Sequence, residues 1–222
     1  MSSSNSAVIL LSGGLDSLVS LGLVRNEYEK ILALTFDYGQ KVFKQEAAAA
    51  EKISEYYNIK CEIIKLDWLK NITNTALVSD NEVPENITDY TLSMKSVWVP
   101  NRNGLFLNIA ACYADSFGYS DIIIGANKEE AATFSDNTEE FVNRVAAEFE
   151  YSTLVKPKVR VPLIKYDKRK TVELALEHKM PLDLVWSCYN DGEKHCGKCE
   201  SCIRLKAALQ ACGDSYFINR LF

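Results

Sequence analysis

The sequence has little of what a nucleic-acid or membrane protein requires. Lys and Arg total 25 against 30 Asp and Glu, a formal net charge of −5, so no basic field is available to hold a phosphate backbone. No apolar run approaches the ~18 residues of a membrane span. Met1–Ser6 carries no basic residue and Ala7–Leu11 is too short for the apolar core of a leader, so a cytoplasmic protein is expected, with no membrane and no direct nucleic-acid partner. Two phosphate signatures are also missing: there is no G-x-x-x-x-G-K-[ST] and no G-x-G-x-x-G after the first apolar run. Internal repeats and low-complexity tracts are absent. What remains is 222 residues, 47% hydrophobic and 25% charged, which suits one α/β domain with a small appendage.

The organising stretch is Ala7–Val19, AVILLSGGLDSLV. It reads as a buried strand, a tight turn at Ser12-Gly13-Gly14, and a helix over Leu15, Leu18, Val19, Leu21 and Leu23. Paired glycines let backbone N–H groups turn inward at the positive end of a helix dipole, where an oxyanion can sit. Ser12 and Ser17 add hydroxyl donors. Asp16, in the first helical turn, either caps the helix of a plain connection or holds a divalent cation such as Mg²⁺ beside phosphates.

Further along, Lys30–Asp37 reads as a strand ending at the turn Tyr38-Gly39, Phe43–Tyr57 as a helix and Cys61–Asp67 as a strand. The order β-α-β-α-β implies a parallel sheet. Asn71–Val99 is polar and holds Pro84. It is expected as a long insertion or mobile loop, either a solvated excursion or a functional element. A turn over Val99–Gly104 then precedes a helix, Leu105–Phe117, with Leu105, Ile109, Cys112 and Tyr113 at helical spacing. Asp121–Asn127 is expected as a strand stopping at Gly125, Lys128–Asn137 as a polar loop, Thr138–Glu150 as a helix and Val159–Leu163 as a short strand. Tyr166–Lys179 is expected as a helix with Asp167 as N-cap, ended by Pro181. Two units follow: residues 1–180, which bind nucleotide, and residues 181–222, a C-terminal segment packed on them.

That segment holds Cys188, Cys196, Cys199 and Cys202, spaced C-x7-C-x2-C-x2-C. Four thiolates fit one tetrahedral zinc site with no open position, hence structural. An iron–sulfur cluster is the rival, although the trailing C-x3-C-P of ferredoxins is missing, and free thiols are the third reading. His195 is a substitute ligand by adjacency. Cys61, Cys112 and Cys212 are expected as small buried hydrophobes.

Ser12–Ser17, SGGLDS, resembles the PP-loop of the ATP pyrophosphatase superfamily, whose members cleave ATP between the α and β phosphates and form adenylates. FDYGQ at Phe36–Gln40, VPNRN at Val99–Asn103, GANKEEAATFSDN at Gly125–Asn137, WSCY at Trp186–Tyr189 and CGKCESC at Cys196–Cys202 resemble the QueC family, the 7-cyano-7-deazaguanine (preQ0) synthases, above all their archaeal-type members. Together these stretches span nearly the whole chain. Leu15 stands where many members have Gln, Val42-Phe43 where a basic residue or His is common, and Thr133–Asn137 where bacterial members carry Y-P-D-C-R.

The resemblance implies an open parallel sheet with helices on both faces, of the adenine nucleotide alpha hydrolase-like or Rossmann-like kind, plus a small Cys₄ zinc module. It implies conversion of 7-carboxy-7-deazaguanine and ammonia to the nitrile, with two ATP, through an adenylated carboxylate and then an adenylated amide. ATP and Mg²⁺ would lie on Leu10, Leu11, Ser12, Gly13, Gly14, Leu15, Asp16 and Ser17, with Asp16 and Ser17 catalytic. The pyrophosphate would sit in the loop, and adenine at Phe36, Tyr38 and Gly39, where the carboxyl ends of strands take nucleotides. The deazaguanine is expected on Glu129, Glu130 and Asp136, since carboxylates match its N–H edge, with Phe134 as a stacking face. Arg102 is expected on the substrate carboxylate or a phosphate, and Lys165 and Lys168 are weaker candidates of the same kind. With no glutaminase domain in view, free ammonium is the expected nitrogen donor. A homodimer is implied by the resemblance. The alternative is another PP-loop ligase or base-modifying enzyme that adenylates a different carboxylate or a tRNA base.

Overall fold

Alternation of side chains along the first strand decides how the molecule is layered. In β1 (Ser6–Leu10) every residue is buried, with Ala7 and Ile9 facing one core and Val8 and Leu10 the other. A strand covered on both faces has no polar side, which is why it reads as a continuous apolar run. The computed structural model describes residues 5–79, 81–86 and 95–222. Its sheet is five-stranded, in the order β3-β2-β1-β4-β5, with every pairing parallel. The other strands are β2 (Lys30–Asp37), β3 (Lys60–Lys65), β4 (Asp121–Ile123) and β5 (Lys158–Arg160).

One face is covered by α1 (Leu15–Val24), α2 (Phe43–Tyr56), α6 (Lys168–Glu177), α7 (Glu200–Ala211) and α8 (Ser215–Leu221), which supply Leu18, Ile53, Val172, Leu205 and Leu221 to one core. The other face is covered by α3 (Arg102–Phe117) and α5 (Glu139–Ser152), through Leu107, Ala110, Val145 and Phe149. The C-terminal helices thus share one core with the helices that follow β1 and β2. The chain leaves β1 toward β2 on one side and reaches β4 on the other, so the strand order reverses beside β1, at the point where open α/β sheets open a crevice at the carboxyl ends.

Most expected elements stand within a few residues of their places, and Asp167 caps α6 by accepting from Lys170 N at 2.7 Å. Four regions differ. The helix expected from Leu105 begins at Arg102, because Asn101 adopts a left-handed φ of 52°, which asparagine tolerates, and its carbonyl accepts from Leu105 N at 2.9 Å. Its buried stripe is Asn103, Leu107, Ala110, Ala111 and Ala114; the small alanines approach the sheet, while Leu105, Ile109 and Tyr113 lie at the flank and Cys112 is exposed. The fourth strand ends at Ile123, and Lys128–Asn137 is no loop: it forms α4 (Lys128–Ala131), capped by Asn127, and a 3-10 turn, Ser135–Asn137. Two tail helices, α7 and α8, carry no sequence expectation.

Within Asn71–Val99, residues 80 and 87–94 lie outside the described residues. The described remainder is packed, with Ala76, Val83, Val97 and Val99 buried. Glu85 bridges to Cys199, and Asn86 N donates to Lys198 O at 2.9 Å. Among the described residues no helix is long and apolar enough to cross a membrane.

Candidate active site

The loop after β1 is built by steric exclusion. Leu11 N continues the ladder to Leu34 O at 2.9 Å, and the chain then turns at Gly13, whose φ is 79°. A Cβ there would lie 2.5 Å from Glu46 O and 2.9 Å from the Ala49 side chain, so α2 seals the loop from behind only if residue 13 is glycine. Gly125, just past β4, is constrained from the other side, since a Cβ would sit 2.8 Å from Asp16 C and Ser17 N. Ser12 Oγ lies 3.2 Å from Ser17 Oγ, and Ser17 Oγ donates to Gly14 O at 3.0 Å.

The tail closes this loop. Trp186 N donates to Gly13 O at 2.9 Å, and Ser187 Oγ accepts from Leu15 N at 3.3 Å. Ser187 N in turn donates to His195 Nε2 at 3.0 Å, and the His195 ring lies between Trp186 and Phe222. His195 is therefore a neutral brace, its pKa lowered by burial, and it stands outside the cysteine cluster.

The four Sγ atoms of Cys188, Cys196, Cys199 and Cys202 lie within 4.8 Å of one another. Cys196 and Cys202 are 3.8 Å apart, close to the ~3.8 Å edge of a tetrahedron with ~2.3 Å zinc–sulfur bonds. Backbone N–H groups of Asn190 and Cys196 donate to Cys188 Sγ, and those of Lys198 and Cys199 to Cys196 Sγ, at 3.3–3.4 Å. Such donors favour thiolates and orient them. Hydrogen bonds from Cys199 and Cys202 hold the Cys188 thiol well below its usual range, and the thiols of Cys199 and Cys202 are pushed up in return. The donor set fits a dication.

At the crevice, a cleft of about 230 Å³ is lined by Leu10, Leu11, Ser12, Gly14, Leu15, Asp16, Ser17, Phe36 and Tyr38. Of the expected nucleotide residues, Gly13 faces α2 instead, and the space beside Gly39 is filled by Lys70. Phe36 stacks on Phe106, centroids 3.9 Å apart and planes 5° apart. Lys168, 7% exposed, sits at the centre, its Nζ donating to Asp16 Oδ2 at 2.6 Å and to Glu130 Oε1 at 3.3 Å. Burial raises the Asp16 pKa against the pull of Lys168. Among the described residues Asp16 Oδ1 is buried without a hydrogen bond of ordinary geometry, with the Asn127 side-chain amide beside it. A carboxylate oxygen so placed beside a phosphate loop fits Mg²⁺, which takes one or two carboxylates plus phosphate oxygens.

A second pocket of about 90 Å³ adjoins the first and shares Arg102, Glu130, Asn137, Lys168, Tyr189 and Ser201 with it. Phe134 and Asp136 line it, and Trp98 faces Phe134 with planes 7° apart and centroids 6.1 Å apart. Burial raises the Asp136 pKa and Arg102 opposes it. Arg102 Nη1 donates to Tyr38 Oη at 3.4 Å. Two expected residues stand elsewhere. Glu129 spends both oxygens on structure, accepting from Lys168 N at 3.0 Å and Arg204 Nη1 at 3.4 Å, and Lys165 is exposed and lines neither pocket. Trp98, Gln40, Glu46 and Arg204 escaped the sequence reading. Trp98, as the aromatic just ahead of VPNRN, offered a signal; Glu46, inside an alanine-rich helix, offered none.

The profile described as queuosine biosynthesis protein QueC matches residues 6–213. The chain is 49% identical over 208 residues to the 7-cyano-7-deazaguanine synthase of Carboxydothermus hydrogenoformans, covering 91% of this chain and 97% of that one. To the 7-cyano-7-deazaguanine synthase of Methanosarcina mazei it is 46% identical over 220 residues, covering 93% and 94%. Among solved structures, NMN synthetase from Francisella tularensis shares the fold, with a TM-score of 0.51 at 17% identity over 98% of this chain and 82% of that one.

Proposed function

The chain belongs to the QueC family of queuosine biosynthesis proteins, and we propose that it is an ATP-dependent ligase that converts 7-carboxy-7-deazaguanine and ammonia to 7-cyano-7-deazaguanine. The observation that carries this reading is the junction of the two pockets: Arg102, Glu130, Lys168 and Tyr189 line both. A substrate bound in the smaller pocket, with its carboxylate on Arg102, presents that carboxylate to a nucleotide in the larger one.

In this reading adenine rests by the Phe36–Phe106 pair, and the loop N–H groups with Ser12 and Ser17 receive the pyrophosphate, stabilising the charge that develops as it leaves. Lys168 places positive charge beside Asp16 at the same point. Asp16 would help hold a Mg²⁺, which would supply positive charge to neutralise the phosphates. In the smaller pocket Asp136 and Glu130 accept from the N–H edge of the deazaguanine, and Trp98 and Phe134 cover its faces. Holding both reactants at one junction replaces a bimolecular encounter, and the sheltered cleft protects the adenylate from water. Cys188, Cys196, Cys199 and Cys202 would hold a zinc ion, which would brace the tail against the loop. A homodimer is part of this reading, and sedimentation or light scattering tests it. The seven cysteines are free, in keeping with a reducing, cytoplasmic setting.

The test is incubation with 7-carboxy-7-deazaguanine, ATP, Mg²⁺ and ammonium, followed by mass spectrometry. Nitrile with two AMP per product supports the reading. AMP release on another acid, with no nitrile from this one, replaces it by a different PP-loop ligase.

A further inference from the structure

The pockets contain one acidic group that the reading above leaves idle. Glu46, in the first turn of α2, lines the nucleotide cleft together with Tyr38, Gln40 and Arg102. Its Oε2 accepts from Gln40 Nε2 at 2.8 Å. Gln40 has no freedom to do otherwise. Its Oε1 accepts from Tyr38 N at 2.9 Å, and its Nε2 also donates to Phe36 O at 2.8 Å, so the amide orientation is fixed by one obligate donor and one obligate acceptor. Among the described residues Glu46 Oε1 has no hydrogen-bond partner. The nearby guanidinium of Arg102 attracts Glu46 but makes no ion pair with it, being engaged with Tyr38 Oη. The cleft thus sets a carboxylate with a free oxygen opposite the arginine assigned to the substrate carboxylate. A cation fits beside the first and an anion beside the second.

We propose that Glu46 is the ammonium site of this enzyme and the base that removes protons from the incoming nitrogen. The proposal rests on the ligase reading. Ammonium has no lone pair and cannot attack. Transfer of one proton from ammonium to the Glu46 carboxylate frees the pair, which forms the bond to the acyl carbon. The C–O bond to AMP breaks and AMP leaves with its electrons. The new C–N nitrogen then gives up a second proton, after Glu46 has passed the first to water, and leaves a neutral amide. In the second stage the adenylated amide loses both remaining N–H protons as its C–O bond to AMP breaks, giving the nitrile. Each stage releases two protons and neither changes an oxidation state, so no co-reactant is needed. Burial lifts the Glu46 pKa to about 7, with Gln40 and Arg102 opposing the rise, and the Tyr38 hydroxyl faces the same space. A base is most effective when its pKa lies near the working pH.

Glu46→Gln keeps the shape and the bond from Gln40 but removes the base. The experiment compares ammonium with hydroxylamine, which is already a free base at neutral pH, as acceptors for the activated acid. Acid-dependent exchange of pyrophosphate into ATP reports activation separately. In E46Q the ratio of ammonium to hydroxylamine rates is expected to fall by ~100-fold, within the range of general-base effects, and the rise of the ammonium rate through about pH 7 disappears. Equal losses with both nucleophiles, or an unchanged ratio and pH profile, would overturn the assignment and leave Glu46 a structural partner of Gln40. Failure of the unaltered protein to exchange pyrophosphate with this acid would instead sink the ligase reading itself.

Discussion

Two half-buried carboxylates with different partners show how side-chain environment can separate roles in this cleft. Asp16 is paired with Lys168 at 2.6 Å, and among the described residues its Oδ1 makes no hydrogen bond of ordinary geometry, so it can offset the Lys168 charge and still accept a divalent cation. Replacing it by Asn preserves shape and removes that charge. AMP release by D16N is expected to fall by ~100-fold or more, as when one electrostatic contact to a transition state is lost, with an unchanged circular dichroism spectrum. Near-normal turnover would remove Asp16 from the chemistry. Glu46 has only Gln40, and its pKa rises from 4.5 to about 7. The folded state then holds a proton that the unfolded state has lost, so stability drops as pH rises from about 4.5 to about 7. At pH 8 the ionised Glu46 costs roughly 1–3 kcal/mol. E46Q should therefore melt higher than the parent at pH 8, by roughly 2–4 °C per kcal/mol, and the difference should vanish at acid pH. A thermal melt series across pH checks the sign.

At the scale of elements, the site depends on ends of strands and starts of helices meeting without side chains between them. The carboxyl end of β4 touches the first turn of α1 at Gly125, where a Cβ would meet backbone at 2.8 Å. Backbone cannot step aside as a flexible side chain can. Gly125→Ala is expected to displace Asp16 and Ser17 and to weaken ATP binding at least ~10-fold, an effect of misplacing groups that line the cleft; isothermal titration with ATP reads the dissociation constant directly. The helix starts at Arg102 and Lys168 differ in how far the sequence reveals them. Asp167 is an N-cap by residue type, so the position of α6 could be read from the sequence. The start of α3 rests on Asn101 in a left-handed conformation, which no periodicity announces. The central strands β1, β2 and β4 were legible because burial on both faces makes them largely apolar. The tail helices were not, because α7 begins at Glu200, with Cys199 as its N-cap, inside a motif whose cysteine spacing masks the helical period.

For the molecule as a whole, the cysteine cluster and the phosphate loop form one mechanical unit. From Cys188 the chain runs back through Ser187 and Trp186 to Leu15 and Gly13. From Cys202 it runs along α7 to Arg204, which meets Glu129, and Glu129 holds the backbone of Lys168. Metal loss should therefore reach the nucleotide. Elemental analysis is expected to give about one zinc per chain. Stripping it with a chelator should abolish ATP binding and lower the melting temperature together, and readdition should restore both; ATP binding that survives full removal would break the mechanical link. Iron and sulfide in place of zinc would overturn the choice of metal.

What the sequence determined by itself is whatever depends on neighbours along the chain: the apolar strands, the glycine turn, the Asp167 cap, the four-cysteine spacing and the motifs that mark the family. Those features are local because backbone hydrogen bonding and side-chain alternation act over a few residues. Only the tertiary structure decided which charges face one another. It set Lys168 rather than Lys165 against Asp16, turned Glu129 away while Glu130 lines the cleft, brought Trp98 over Phe134, and placed Glu46 and Arg102 in one cleft. These pairings join residues far apart in the chain, and they are fixed by how helices pack on a shared sheet, which residue type alone does not encode.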